Sequence, residues 1–487
     1  MKSWLLIWFT LFIIKAFPQK QFAIDEKTID RYIETEMTRW NVPGCAIAIV
    51  RGNDLLYTKG YGYRDVENKL PVTPNTVFKI ASLTKSFTAA ATGILVNQKL
   101  LDWDTPVKKY LPELEFVNTE LANNVTLKDL LTHRTGLYDD DWSWVGDHID
   151  TKRMYEILSV MPQEKPLRTD FLYANMTYAL AGHLIGIKTN SSWRDVIRKK
   201  FFEPLSMTSS LFSHNEKSGS KDFAFGYEWC DSLKSYLRGN LSEHLTDSLS
   251  VCEAFAFISS SAVDLSKWIQ LFINGGNWRG EQLIPADILK ELTRPVNYIH
   301  ASRYPELTER FYCMGWEQNY YKTHKLLQHS GGLSGFKSYM SFMPQDSMGI
   351  IVLTNGQPYR FAEAVSYDLY DLVLSLPATH WSDKFLSGQK TKSGDIKNAD
   401  TIIPGTTPSK PLAEYAGIYF SKWLGAMKVI YENGELFFQF HTYPKEKMSH
   451  THYNTFRADS GNITFQFSHE GKITGMVLNE YYFDKSE

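Results

Sequence analysis

The sequence predicts an α/β fold of the α+β kind. One antiparallel sheet is flanked by helices, a second lobe is mostly helical, and a small all-β, barrel-like domain follows at the C-terminal end. Three observations predict it. Apolar strand patterns occur at both ends of the stretch 24–376, with helical periodicity between them. Residues 377–411 hold few apolar side chains and, from Ser387 to Pro411, turn rich in Lys, Ser, Gly, Thr and Pro, the composition of a linker. In residues 412–487, short alternating strands meet at Asn-Gly-type turns.

Each element has its own signal. Asp25 to Trp40 places Ile29, Ile33 and Met37 on one helical face. Cys45 to Val50 reads as a buried strand, Arg51-Gly52-Asn53-Asp54 as a turn, and Leu55 to Tyr63 as a second strand. Helical patterns follow at Thr126 to Leu131, Trp193 to Phe202 and Asp264 to Phe272. Strands return at Gly335 to Met343 and Met348 to Leu353, joined at Pro344-Gln345-Asp346-Ser347, and a helix from Phe361 to Leu374 closes the unit. Two hairpins mark the last domain: Ala426 to Tyr431 with Glu435 to Phe440, and Ile463 to Phe467 with Ile473 to Leu478. No repeat of fixed period is present.

Composition removes several classes of function. The 487 residues carry 52 basic and 54 acidic side chains, so no polyanion-binding footprint points to nucleic acid. Met1-Lys2 and the apolar run Trp4 to Ile14 are too short for a comfortable bilayer span and fit the core of a signal peptide over residues 1–18. Ala16-Phe17-Pro18-Gln19 departs from the A-x-A cleavage pattern, which leaves an uncleaved anchor open. The expectation is an exported protein, periplasmic or secreted. Cys45, Cys230, Cys252 and Cys313 are too scattered for a disulfide scaffold or zinc knuckle; a Cys230–Cys252 bridge stays open in an oxidising compartment. His441, His450 and His452 have no carboxylate or cysteine at matching spacing and read as non-ligands, so neither metal nor cofactor is expected.

Ser82-Leu83-Thr84-Lys85 carries the chemistry. A serine alkoxide is hard to form near neutral pH without an adjacent base, and residues three apart on a helix share a face. Ser218, Ser334 and Ser387 also begin S-x-x-K matches, but in surroundings that read as loop or linker. Only Ser82 is followed by a helical apolar run, Leu83, Phe87, Ala90 and Ile94. Such a pair needs a second proton carrier and donors for an oxyanion. Tyr173-Ala174-Asn175 supplies candidates for the first and for gripping the lysine or a carbonyl. His329-Ser330-Gly331-Gly332 opens a strand whose glycines let a backbone N–H approach a reacting carbonyl.

In that order these motifs resemble the serine β-lactamase/penicillin-binding-protein superfamily, specifically its class C-like branch. Leu130-Leu131-Thr132-His133-Arg134-Thr135-Gly136-Leu137, Asp264-Leu265-Ser266-Lys267-Trp268 and Met314-Gly315-Trp316 also match that branch. The resemblance covers roughly Ile24 to Ser375; residues after about Pro411 resemble the lipocalin-like domain appended to many such hydrolases. It implies a β-lactamase/transpeptidase-like fold and hydrolysis through an acyl-enzyme. Ser82 would be the nucleophile, Lys85 its base, and Tyr173 the proton relay. Asn175 would bind the carbonyl, and the N–H groups of Ser82 and Gly332 would form the oxyanion hole.

Two departures bear on substrate. His329 stands where β-lactamases carry a lysine of fixed charge, and Ala256-Phe257 where relatives often have paired glycines. The expectation is therefore a hydrolase of esters, amides or short peptides, D-amino-acid peptides among them. The alternatives are a penicillin-binding or sensor protein acylated without efficient turnover, or a true β-lactamase. The expected partner is a small-molecule or short-peptide substrate, with oligomerisation open.

Overall fold

The computed structural model describes residues 25–140, 143–144, 149–212, 222–239, 251–392, 402–441 and 443–486. The N-terminal apolar run and the Ser218 match lie outside them. The chain begins with helix α1 (Glu26–Trp40), whose N-cap Asp25 accepts from the Thr28 N–H, and continues into strands β1 (Gly44–Arg51), β2 (Asp54–Asp65) and β3 (Leu70–Pro71). After the helical lobe come β4 (Asn297–His300), β5 (Arg310–Tyr312), β6 (Glu317–Tyr321), β7 (His324–Leu333), β8 (Phe336–Met343) and β9 (Met348–Thr354). These form one antiparallel nine-stranded sheet in the order β4-β5-β6-β7-β8-β9-β1-β2-β3.

Both faces of this sheet are covered, which accounts for the unbroken apolar run of β1. Cys45, Ile47 and Ile49 pack with α1 and with helix α5 (Phe361–Val373), through Ile33, Trp40 and Phe361. Ala46, Ala48 and Val50 face the other layer, which holds helices α2 (Thr84–Asn97) and α4 (Ala262–Ile273). Helix α2 is buried from Thr84 to Leu95 and packs among the helices Asn175–Thr189, Glu253–Ala256 and Ala286–Leu292. Its Ala89-Ala90-Ala91 stretch lets neighbours approach closely. Phe87 stacks on Trp268 of α4 at 3.9 Å, and the Trp268 indole N–H donates to Ser86 Oγ at 3.0 Å.

The stretch expected as linker begins as structure. Helix α6 (Trp381–Lys392) continues the first domain, with Trp381 wholly buried against Tyr321 and Phe385. Its polar composition hid an amphipathic helix anchored by two aromatic residues. The C-terminal domain is a closed barrel of β10 (Gly417–Ser421), β11 (Gly425–Glu432), β12 (Glu435–Phe440), β13 (Glu446–His452), β14 (Thr455–Ala458), β15 (Gly461–Phe467), β16 (Ile473–Leu478) and β17 (Tyr481–Lys485). Tyr419, Met427, Phe438, Phe465, Met476 and Phe483 fill its interior, as an eight-stranded barrel allows. Cys230 is a free thiol, as are Cys45 and Cys313, so the Cys230–Cys252 bridge left open by the sequence is not formed.

Candidate active site

The site is built where β7 meets the start of α2. Ala81 adopts a left-handed φ of 49° and opens a turn of 3₁₀ helix (Ala81–Leu83) that leads into α2. This kink presents Ser82 at the helix mouth, partly exposed, while Lys85 one turn further is wholly buried. Lys85 Nζ donates to Ser82 Oγ at 3.1 Å, to Asn175 Oδ1 at 2.7 Å and to the Phe255 carbonyl at 3.2 Å. The amine also lies 4.8 Å from the Tyr173 ring centre.

Asn175 begins helix α3 (Asn175–Thr189), whose N-cap Ala174 has no side chain to cap it. Asp139 replaces the cap from outside: its Oδ2 accepts the Met176 N–H at 2.7 Å. His133 pins the preceding turn, its Nδ1 accepting from the Ala174 N–H at 3.1 Å and its carbonyl from the Leu172 N–H at 3.0 Å. Burial, then the nearby Lys85, hold its pKa well below the usual histidine value, so the ring is neutral. Its ring lies tilted against Tyr173 at 4.2 Å. The segment containing His133 is itself locked by buried Asp129, which pairs with Arg134 and Arg168 and closes a capping box with Thr126.

Gly331 explains the third motif. A Cβ there would lie 2.2 Å from the Ile80 carbonyl, so only glycine lets β7 come this close to the backbone entering Ser82. Ser338 on the paired strand donates to the same carbonyl at 2.8 Å. His329 is buried, and its Nδ1–H donates to the Ser330 carbonyl at 2.7 Å. Its Nε2 therefore accepts from Tyr312 Oη at 2.9 Å. Burial and then Lys85 push its pKa down to about 3. The third motif contributes no cation near neutral pH.

Ser82, Tyr173, Asn175, His329, Ser330 and Gly332 converge on one cleft of about 830 Å³. Gly331 lies beneath it. Ala256 is on the rim, while Phe257 is buried and packs edge-on against Trp144. Of the other S-x-x-K matches, Ser334 sits in the turn after β7 and donates to Glu228, and Ser387 lies in α6 rather than in a loop. Sequence reasoning missed Asp139, Tyr312, Lys337, Tyr359 and Tyr443, which cap, orient or line the site without a motif of their own. Tyr443 comes from the barrel. Among the described residues, no group of three or more His, Cys, Asp or Glu is placed to hold a metal ion.

A serine–lysine pair at a helix mouth, closed by a glycine-bearing strand of an antiparallel sheet, defines the serine hydrolases of the β-lactamase fold. The chain belongs to the beta-lactamase family, whose model matches residues 29–374. Residues 402–487 match a model described as a domain of unknown function (DUF3471). Unguisins hydrolase ungD' of Aspergillus campestris is 28% identical over 412 residues, 80% of this chain and 74% of that protein. Among solved structures, the octameric penicillin-binding protein homologue from Pyrococcus abyssi superposes with a TM-score of 0.64 at 22% identity. That match spans 95% of this chain and all of the other. D-amino acid amidase from Ochrobactrum anthropi SV3 superposes at 0.59 and 21% identity, over 76% of this chain and 99% of its own.

Proposed function

We propose that this protein is an exported serine hydrolase that forms an acyl-enzyme on Ser82 and acts on esters, amides or short peptides, including those of D-amino acids. The observation that carries the reading is the Lys85 amine, 3.1 Å from Ser82 Oγ and ringed by the Asn175 and Phe255 oxygens. In its neutral form the Lys85 amine keeps its two N–H bonds on Asn175 Oδ1 and the Phe255 carbonyl and turns its lone pair to Ser82 Oγ, whose proton it takes as Oγ attacks a carbonyl. The negative charge that develops on the carbonyl oxygen falls between the N–H groups of Ser82 and Gly332. Tyr173 passes a proton to the leaving group and later takes one from the water that releases the acyl group. Asn175 holds Lys85 and the substrate carbonyl in register.

The neutral His329 supports ester, amide and peptide substrates over β-lactams, because the third motif presents no fixed cation to a drug carboxylate. A fluorophosphonate probe tests the nucleophile: wild type labels and Ser82→Ala does not, while equal labelling of both would remove the assignment. Turnover of a p-nitrophenyl ester, a D-amino-acid amide and nitrocefin then ranks the substrates. A labelled enzyme that turns over none of them would be the acylated sensor, and nitrocefin as best substrate would make it a β-lactamase.

A further inference from the structure

We infer that a second pocket, apart from the Ser82 cleft, binds a phosphoryl group: hydrogen phosphate or a small phosphate monoester bearing a hydroxyl. The pocket shares no lining residue with the cleft, so the inference stands independently of the acylation of Ser82. Its cavity of about 240 Å³ lies between the chain that follows β4, strand β6, the start of α5 and helix α6. Three guanidinium groups line it. Arg310 is committed, because it pairs with Glu317 at 3.1 Å and Glu363 at 3.2 Å. Arg303 pairs with no carboxylate among the described residues, and Arg360 reaches only Glu363, through Nε at 3.9 Å.

These two uncommitted cations are gathered at one point. Tyr304 Oη accepts from Arg303 at 2.8 Å and from Arg360 at 3.5 Å, so a neutral oxygen holds two like charges together. Stacking fixes both groups: Arg303 lies 4.9 Å from the Tyr304 ring centre and Arg360 4.6 Å from that of Phe385. Convergent donors of this kind suit one compact dianionic head better than two carboxylates spaced along a chain. A buried amide supplies the second observation. Asn319 of β6 is 1% exposed and lines the same cavity, and its Oδ1 is buried with no hydrogen-bond partner. Such a group costs stability until a ligand satisfies it. An amide both donates and accepts, so it fits a head that offers acceptor oxygens together with a hydroxyl. Hydrogen phosphate carries both, and a carboxylate has no hydrogen to give Oδ1.

Calorimetric titration of the full chain tests the site, at low ionic strength and above the second phosphate pKa. Inorganic phosphate and ribose 5-phosphate are the probes; ribose and succinate are the controls. Wild type is expected to bind both phosphates saturably, ribose not at all, and succinate about tenfold more weakly than phosphate. Arg303→Met and Arg360→Met each weaken phosphate binding by about tenfold, and added salt weakens it in wild type. Hydrolysis of a p-nitrophenyl ester is unchanged in Arg303→Met. Arg303 is exposed, so that variant alone decides the matter should Arg360→Met fail to fold. Absence of saturable phosphate binding, succinate binding as tight as phosphate, or equal phosphate binding by wild type and Arg303→Met would overturn the inference.

Discussion

Lys85 Nζ lies closer to Asn175 Oδ1, at 2.7 Å, than to the Ser82 hydroxyl, at 3.1 Å. Ser82 and Lys85 stand at the start of α2 and Asn175 at the start of α3, so one amine ties two helices of the site together. Asn175→Ala removes the nearer acceptor and lets the lysine drift from the serine. The expected loss in kcat is about 10- to 100-fold, the equivalent of one hydrogen bond to a charged group. Lys85→Met, which removes the base itself, is expected to cost at least about 10²–10⁴-fold. Steady-state kinetics on a p-nitrophenyl ester check both.

His329 makes a prediction about acid. Its folded pKa near 3 lies below the ordinary 6.5, so the unfolded chain binds this proton first as pH falls. The stability tied to the neutral ring is complete above about pH 6.5 and is lost progressively down to pH 3, with a slope approaching about 1.4 kcal/mol per pH unit. Buried His133 acts in the same direction. Urea unfolding between pH 6.5 and 5 should show a shallower decline for His329→Gln than for wild type. The activity profile of wild type should show no inflection near pH 6.5 from this residue.

Asp129 holds the loop that positions Tyr173. It is wholly buried, and although burial raises its pKa, the hydrogen bonds from Arg168 and the charge of Arg134 win and lower it. Its stabilisation is therefore present above the ordinary carboxylate range and is lost as pH falls through its lowered pKa. Asp129→Asn leaves two guanidinium groups facing a neutral side chain, at an expected cost of about 3–5 kcal/mol. Chemical denaturation measures it, and a cost under about 1 kcal/mol would mean the arginines find solvent instead.

The barrel bears on substrate size. Tyr481 Oη donates to Asp140 at 2.7 Å, Trp423 packs edge-on against Tyr138, and Arg153 donates to the Lys422 and Trp423 carbonyls. Tyr443 reaches the cleft wall itself. Tyr443→Ala is expected to change the kcat/KM ratio of a phenylacetyl to an acetyl ester by about threefold or more, as loss of a pocket wall does. Removing residues 402–487 should move the ratio the same way. A cut after Leu376 would confuse the result, because it also removes the buried Trp381.

The legible parts of this molecule were those with a period or a spacing. The unbroken apolar run of Gly44–Arg51, the largely apolar strand Phe336–Met343, the helix behind Ser82, and the hairpins of the barrel all carried their signal in the chain. Glu317–Tyr321 did not, because its Gln318 and Asn319 are polar yet buried, and a strand of such residues has no apolar alternation to read. The helix Trp381–Lys392 was hidden for a similar reason. At the site, Ser82 and Lys85 could be named from the S-x-x-K spacing with a helix behind it, and Tyr173, Asn175 and His329 from the order of motifs that resembles a known family. The charge state of His329 could not, since burial and the Tyr312 hydroxyl decide it, and both come from distant parts of the chain. Lys337 was visible only as the end of a rejected S-x-x-K match; the strand register gave it a place beside Gly332.

The central claim is that Ser82 becomes acylated. Wild type quenched in acid during turnover of a p-nitrophenyl ester, digested and mapped by peptide mass spectrometry, should carry the acyl mass on the peptide containing Ser82, with fragmentation placing it on that residue. The adduct should be absent from Ser82→Ala. Turnover with an acyl mass on another residue, or equal turnover by Ser82→Ala, would contradict the account.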